Sequence, residues 1–389
     1  MKLKVGVFFG GKSVEHEISI ITANQVIGAV DREKYDVVPI YISKKGLMYT
    51  GDFLFSLENY KDMNKLMENI TQVSLVNDGK SVNVIKFPVN KFKNNILNTI
   101  DVAIPAVHGT NGEDGSIQGF FEMLNLPYTG SDILASSVGM DKIMMHRVLK
   151  ENGINVLDNF SFYVTDYLDD KEKIIKKIEN KIKYPVIVKA GNLGSSVGIK
   201  TAKNKKGLID AINYVIKFTD RIMVEKLITN LKEINCSLIG DKEDVKTSIL
   251  EEPIGKDEIL SYNDKYIAGD KNKMGGNMAN LDHIIPARVT KEEEKQIRKM
   301  ATDTFLLLGA SGVARIDFMI DKDSNDIYVN EINTIPGAFS YYLWEKTDIS
   351  FKNEITMLID LAFKKNREKN NTTFTYDNNI LKYANFKNK

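Results

Sequence analysis

Residues 3–9, LKVGVFF, form an unbroken apolar run that stops at Gly10-Gly11. That is the pattern of a buried parallel strand and its turn. Apolar positions then recur at Ile18, Ile21, Val26, Ile27 and Val30 with helical spacing, and residues 37–42 read as the next strand. A strand–helix–strand opening predicts an α/β fold with a doubly wound parallel sheet. Residues 101–107, DVAIPAV, are a further buried strand, followed by the polar turn HGTNGEDGS and a helix over 117–125. Between them, residues 50–100 are rich in Asn and Lys, with short strand-like pieces at 72–76 and 82–87. They read as an insertion on the first domain.

Residues 131–150 are helical, and 160–224 read as a small α/β unit. Its helix over 171–182 places Ile174, Ile175, Ile178 and Ile182 on one face. A strand over 222–225 opens the third region, which also holds a long polar loop at 262–282. Thr290 and Glu293 form a T-x-x-E capping box ahead of a helix. Two strands, 312–320 and 327–333, are joined by the acidic turn DKDSND. The tail from Lys364 is polar. The expected division is 1–130, 131–220 and 221–389.

Composition narrows the function. The chain has 389 residues, 53 Lys+Arg against 52 Asp+Glu, one Cys and four His. A single thiol forms no internal disulfide, and scattered His give no zinc spacing. A formal charge of +1 argues against a nucleic-acid partner held by bulk electrostatics. No apolar run is long enough to span a membrane, and the N-terminus lacks the features of a signal peptide. The expectation is a cytoplasmic enzyme.

Residues 6–13, GVFFGGKS, satisfy the phosphate-loop expression G-x-x-x-x-G-K-S. Val7, Phe8 and Phe9, however, continue the strand, whereas a phosphate cradle needs inward-turned N–H groups. Residues 184–200, YPVIVKAGNLGSSVGIK, suit phosphate better. A strand delivers Lys189, and the small residues Gly191 to Ser196 let backbone N–H groups approach an anion; a plain hairpin is the alternative. In GVARIDF and YVNEIN, Arg315 shares a strand face with Asp317, and Glu331 shares one with Asn333. If these strands pair, two carboxylates and an amide oxygen converge beside a guanidinium. Such oxygen ligands suit magnesium held with nucleotide phosphates; a salt-bridge cluster is the alternative. Glu15 and His108 follow the two apolar strands, where doubly wound sheets bind ligands. Glu225 ends a strand before Lys226-Leu227, with Glu233 nearby; ribose and adenine contacts or plain exposed carboxylates both fit.

These segments occur together and in order in one family. FFGGKSVEHEIS (8–19), HGTNGEDGSIQGFFE (108–122), PYTGS (127–131), MDK (140–142), VIVKAGNLGSSVGI (186–199), DKY (264–266), IPA (285–287), GVARIDF (312–318) and NEINTIPG (330–337) carry the resemblance. The chain resembles the D-alanine–D-alanine ligases of the ATP-grasp superfamily. The resemblance implies three domains: an N-terminal Rossmann-like domain, a small central ATP-grasp subdomain and a C-terminal catalytic domain. It implies ATP-driven joining of two D-alanines through a D-alanyl phosphate, for peptidoglycan precursor synthesis in the cytoplasm, by a homodimer. Glu15 would hold the ammonium of the first D-alanine, with His108 beside it. Lys142, Lys189, Ser195 and Ser196 would meet ATP phosphates, and Lys265 the transferred one. Glu225, Lys226, Leu227 and Glu233 would meet adenine and ribose. Ser195 would join Glu15 and Tyr266 in closing a mobile loop. Asp317, Glu331 and Asn333 would bind two magnesium ions, or manganese in their place. Arg315 and the backbone of Gly337 would stabilise the tetrahedral oxyanion.

Two features depart from the family pattern. After the shared I-P-G the family runs close to F-T-x-x-S, whose hydroxyl holds the second substrate's carboxylate. Here Tyr342, followed by Leu343, stands in that serine's place, so the second-substrate segment is atypical. The loop YIAGDKNKMGGNMANLDH is also long. A ligase joining D-alanine to another acceptor, such as D-serine, is the alternative these departures raise.

Overall fold

The computed structural model describes residues 2–194, 198–254 and 282–375. Strand Leu3–Gly10 pairs in parallel with Tyr35–Ile42 on one side and Val102–Pro105 on the other. Val5, Val7, Phe8 and Phe9 are fully buried. Gly6 to Gly10 of the G-x-x-x-x-G-K-S match are therefore part of an interior strand, whose backbone N–H groups are engaged in sheet pairing and not turned toward a phosphate. Gly10 has φ 90°, and a Cβ there would lie 2.2 Å from the Ile42 carbonyl oxygen, so only glycine lets the chain leave the strand at this point. Helix His16–Ala29 then lays Ile20, Ala23, Val26 and Ile27 against the sheet.

The segment read as an insertion instead extends this sheet. Met48–Thr50, Thr71–Asn77, Val82–Lys86 and Ile96–Ile100 add four antiparallel strands to make it 7-stranded. Parallel pairing in it is confined to the Tyr35, Leu3 and Val102 strands. The added strands bury alternate residues, Val73 and Leu75 for example, and polar residues between them dilute the apolar signal.

The second sheet is antiparallel, in the order Ile199–Ala202, Val186–Ala190, Arg221–Lys226, Asn159–Tyr163. Helices Lys171–Lys181 and Lys205–Val215 cover it through Ile174, Ile178, Leu208 and Ile212. Strand Arg221–Lys226 thus belongs to the central sheet, although the expected boundary falls at 220. Its Val224 pairs with Val188 and Phe160, long-range partners that a local apolar run does not reveal. The third sheet runs Val245–Thr247, Leu231–Gly240, Gly312–Asp321, Asp326–Asn333, also antiparallel. Helix Lys291–Leu307 packs on it through Ile297, Met300, Ala301 and Phe305. The capping box forms: Glu293 N–H donates to Thr290 Oγ1 at 3.1 Å, and Thr290 N–H donates to the Glu293 carboxylate at 2.6 Å.

Helix Phe351–Asn370 returns to the first sheet, where Ile355, Leu358 and Ile359 join the core around Val5 and Ile20. Glu354 on this helix is fully buried, and neither carboxyl oxygen has a hydrogen-bond partner among the described residues. Burial, with Glu345 nearby, pushes its pKa well above the ordinary 4.5. The folded chain therefore keeps a proton that the unfolded chain releases above its own pKa. This group's contribution is intact in acid and falls as pH rises, by at most about 1.4 kcal/mol per unit. Glu354→Met should raise the thermal midpoint, with the gain widening from pH 5 to pH 8. A gain that does not vary with pH would contradict the buried neutral carboxyl.

Candidate active site

The pairing of Gly312–Asp321 with Asp326–Asn333 sets Asp317 opposite Glu331 and Arg315 opposite Asn333, with a register shift just after Asp317. The four side chains expected to converge do so. Arg315 donates from Nε to Asp317 Oδ1 at 2.7 Å and from a terminal nitrogen to Oδ2 at 2.8 Å. Asn333 Nδ2 donates to the same Oδ2 at 3.1 Å. Burial opposes the guanidinium's charge, but Asp317 holds its pKa well above the ordinary value.

Lysines from elsewhere complete the group. Asp141 caps helix Lys142–Glu151, accepting from Met144 N–H at 3.0 Å, and so fixes Lys142 at the first helical position. Lys142 Nζ lies 2.8 Å from Glu331 Oε2 and donates to the Leu193 carbonyl at 3.0 Å. Burial works against this ammonium, but Glu331, Glu225 and Glu113 hold its pKa above the ordinary value. Lys189, on strand Val186–Ala190, lies 2.6 Å from Glu225 and donates to Asn330 Oδ1 at 3.2 Å.

Lys142, Lys189, Arg315, Asp317, Glu331 and Asn333 line one cleft of about 210 Å³ between the second and third sheets and the mouth of the first. Glu15, His108, Lys226, Leu227, Glu233, and Gly337 line it too. Glu15 sits against the Gly-rich loop: a Cβ on Gly194 would lie 3.6 Å from its Oε2. His108 is buried, which pulls its pKa down to about 4. As a neutral ring it donates from Nδ1 to the Ile335 carbonyl at 2.9 Å and accepts at Nε2 from Thr22 Oγ1 at 2.8 Å. Ala338 N–H donates to the same Thr22 oxygen at 3.2 Å. His108 therefore ties the first helix to the turn that carries Gly337. In that turn Ala338, Phe339 and Ser340 have φ of 48°, 56° and 57°, a left-handed run that costs of order 1–3 kcal/mol per residue and persists only when packing imposes it.

Several expectations shift. Glu225 does not line the cleft. It is fully buried behind Lys189, with His146 Nδ1 at 3.3 Å on its other side. Burial raises its pKa, but Lys189 and His146 outweigh this and hold it below the ordinary value. Its carboxylate neutralises Lys189 and is closed off from an adenine. Leu343 is wholly buried in the core and is absent from the cleft lining; only its neighbour Tyr342 on helix Tyr341–Glu345 faces the cleft. Ser195, Ser196, Lys265 and Tyr266 lie outside the described residues.

Other residues were missed. Glu113 lines the cleft and accepts from Gly109 N–H at 2.8 Å and Ile335 N–H at 3.2 Å. Burial, then the charge of Glu15, pushes its pKa up to about 8. It lies inside the quoted HGTNGEDGS turn, where it reads as an ordinary loop acid. Leu157, Ile187, Ile228 and Met319 give the cleft an apolar slot beside Lys226 and Leu227; in sequence they look like core positions.

The donor set fits magnesium. Asp317, Glu331 and Asn333 offer oxygens, and no described trio of His, Cys, Asp or Glu offers a complete protein cage. Magnesium is commonly held by one or two carboxylates together with phosphate oxygens and water.

Comparison with known proteins identifies one family. The description "D-ala D-ala ligase N-terminus" matches residues 4–131, and "D-ala D-ala ligase C-terminus" matches 148–360. The D-alanine–D-alanine ligase of Thermosipho melanesiensis is 40% identical over 380 residues, covering 98% of each chain. The VanG D-Ala:D-Ser ligase of Enterococcus faecalis superposes with a TM-score of 0.77 at 28% identity, covering 93% of this chain and 100% of that one. The D-alanine–D-alanine ligase of Bacillus anthracis, solved in complex with ATP, gives 0.65 at 26% identity, covering 95% and 99%. Among the described residues no helix is long and apolar enough to cross a membrane.

Proposed function

The chain belongs to the D-alanine–D-alanine ligase family, and on that premise we propose that it uses ATP to join two D-alanines, for peptidoglycan precursors. The observation that carries this is the cleft that brings Lys142, Lys189 and Arg315 together with the facing carboxylates Asp317 and Glu331. Cations at this density suit a triphosphate and a transferred phosphoryl group.

The donor's carboxylate oxygen attacks the γ-phosphorus and ADP leaves. The acceptor's amine then attacks the acyl carbon, and phosphate departs with the former carboxylate oxygen. Glu15, beside the Gly-rich loop, holds the donor's ammonium. Lys142 and Lys189 hold phosphate oxygens. Arg315 and the Gly337 N–H meet the oxyanion of the tetrahedral species, and the Thr22–His108–Ile335 bonds keep Gly337 in place. The apolar slot of Leu157, Ile187, Ile228 and Met319 takes the flat base, and Glu233 the ribose. Asp317, Glu331 and Asn333 would hold magnesium, which neutralises phosphate charge when bound. A cytoplasmic homodimer belongs to the same reading.

Phosphate release with ATP, magnesium and D-alanine as the sole amino acid tests it. Turnover is expected. Release only after a second amino acid such as D-serine is added would replace D-alanine as the acceptor.

A further inference from the structure

The cleft contains a polar cluster that the steps above leave unused. Glu251 is fully buried. It accepts from Tyr342 Oη at 2.9 Å and from Asn235 Nδ2 at 2.9 Å, and its other oxygen lies 2.5 Å from His283 Nδ1. Burial raises the pKa of this carboxyl, but His283, Arg315 and Asn235 bring it below the ordinary value. The backbone fixes both ends of the pair. Glu251 exchanges N–H···O bonds with Asn235 at 2.8 and 3.0 Å, and His283 is paired with Pro253 in a short two-stranded sheet. The His283 and Tyr342 rings lie 6.0 Å apart, and both line the cleft with Arg315.

An acceptor amino acid brings a carboxylate into this cleft. Arg315 already directs two nitrogens at Asp317. The Tyr342 hydroxyl proton goes to Glu251, so this phenol does not serve as the donor that a serine in its place would supply. Glu251 borders the cleft, but both of its oxygens are engaged by these three side chains, so its part is to orient them. Of those three, His283 is the one able to carry positive charge, and its side chain is 21% exposed. We propose that His283, braced by Glu251 and flanked by Tyr342, binds the carboxylate of the acceptor amino acid. Glu251 and Tyr342 are positioning residues for that ring. This rests on the ligase reading above.

D-Alaninamide separates acceptor recognition from the rest, because it has an amine to attack with and no carboxylate to be activated. With D-alanine as donor, His283→Ala should lower kcat/KM for D-alanine as acceptor about 10- to 100-fold, the loss expected for one charge-assisted hydrogen bond, and leave D-alaninamide within about 2-fold. Glu251→Gln and Tyr342→Phe should shift the same ratio in the same direction, by less. If His283→Ala does not fold, His283→Gln carries the test, since it keeps a donor of similar reach without the charge. An equal fall for both acceptors, or no fall for either, overturns the assignment. A wild-type chain that is inactive with D-alanine overturns the ligase reading itself, which is a different outcome.

Discussion

Glu331→Gln is expected to lower turnover about 10²- to 10³-fold, the size of effect seen when a preorganised charge at a reacting phosphoryl or acyl centre is removed. The substitution keeps the shape and deletes the charge. Two consequences act together. Glu331 faces Asp317 across the strand pair, so the oxygen set proposed for magnesium loses one of its two carboxylates. Lys142, 2.8 Å away and buried, also loses its nearest counter-ion, and a buried charge left unpaired is costly. The two are separable. Loss of a metal ligand raises the magnesium concentration needed for half-maximal rate, whereas loss of the Lys142 pair shows as a lower thermal midpoint at every magnesium concentration. An unchanged rate would remove Glu331 from the site.

Arg315→Lys is the second large effect. Arginine presents a planar fork and lysine a single point charge, so the exchange is not conservative where two nitrogens grip one carboxylate. Here that carboxylate is Asp317, so the fork orients a proposed metal ligand and still has an N–H for the oxyanion. A fall in kcat of about 10²- to 10³-fold is expected, with the KM for ATP within about 3-fold, because the missing interaction belongs to the transition state. A change confined to the KM for ATP would instead place Arg315 in nucleotide binding.

Both residues were legible in the sequence for a simple reason. Strand periodicity puts Arg315 with Asp317 and Glu331 with Asn333, and a carboxylate inside an apolar strand stands out. The same logic found the interior strand beneath the G-x-x-x-x-G-K-S match and the Thr290–Glu293 cap. It failed where meaning depends on a distant partner. Arg221–Lys226 pairs with strands that a local pattern cannot name. Glu225 reads as a surface acid until Lys189 and His146 enclose it. Tyr342 registered as a departure from the family pattern. Its role needs Glu251 and His283, which come from separate segments of the chain and show nothing unusual in their own neighbourhoods.

The reaction proposed for this cleft transfers one oxygen. The donor's carboxylate oxygen attacks phosphorus, becomes the bridge of the acyl phosphate, and leaves with phosphate when the amine attacks. D-Alanine labelled with ¹⁸O in its carboxylate, supplied with ATP and magnesium as the sole amino acid, tests this directly by mass spectrometry of the products. The expected result is D-alanyl-D-alanine together with phosphate carrying one labelled oxygen per dipeptide. Unlabelled phosphate would contradict it, because the phosphoryl group would then have passed to water and not to the substrate.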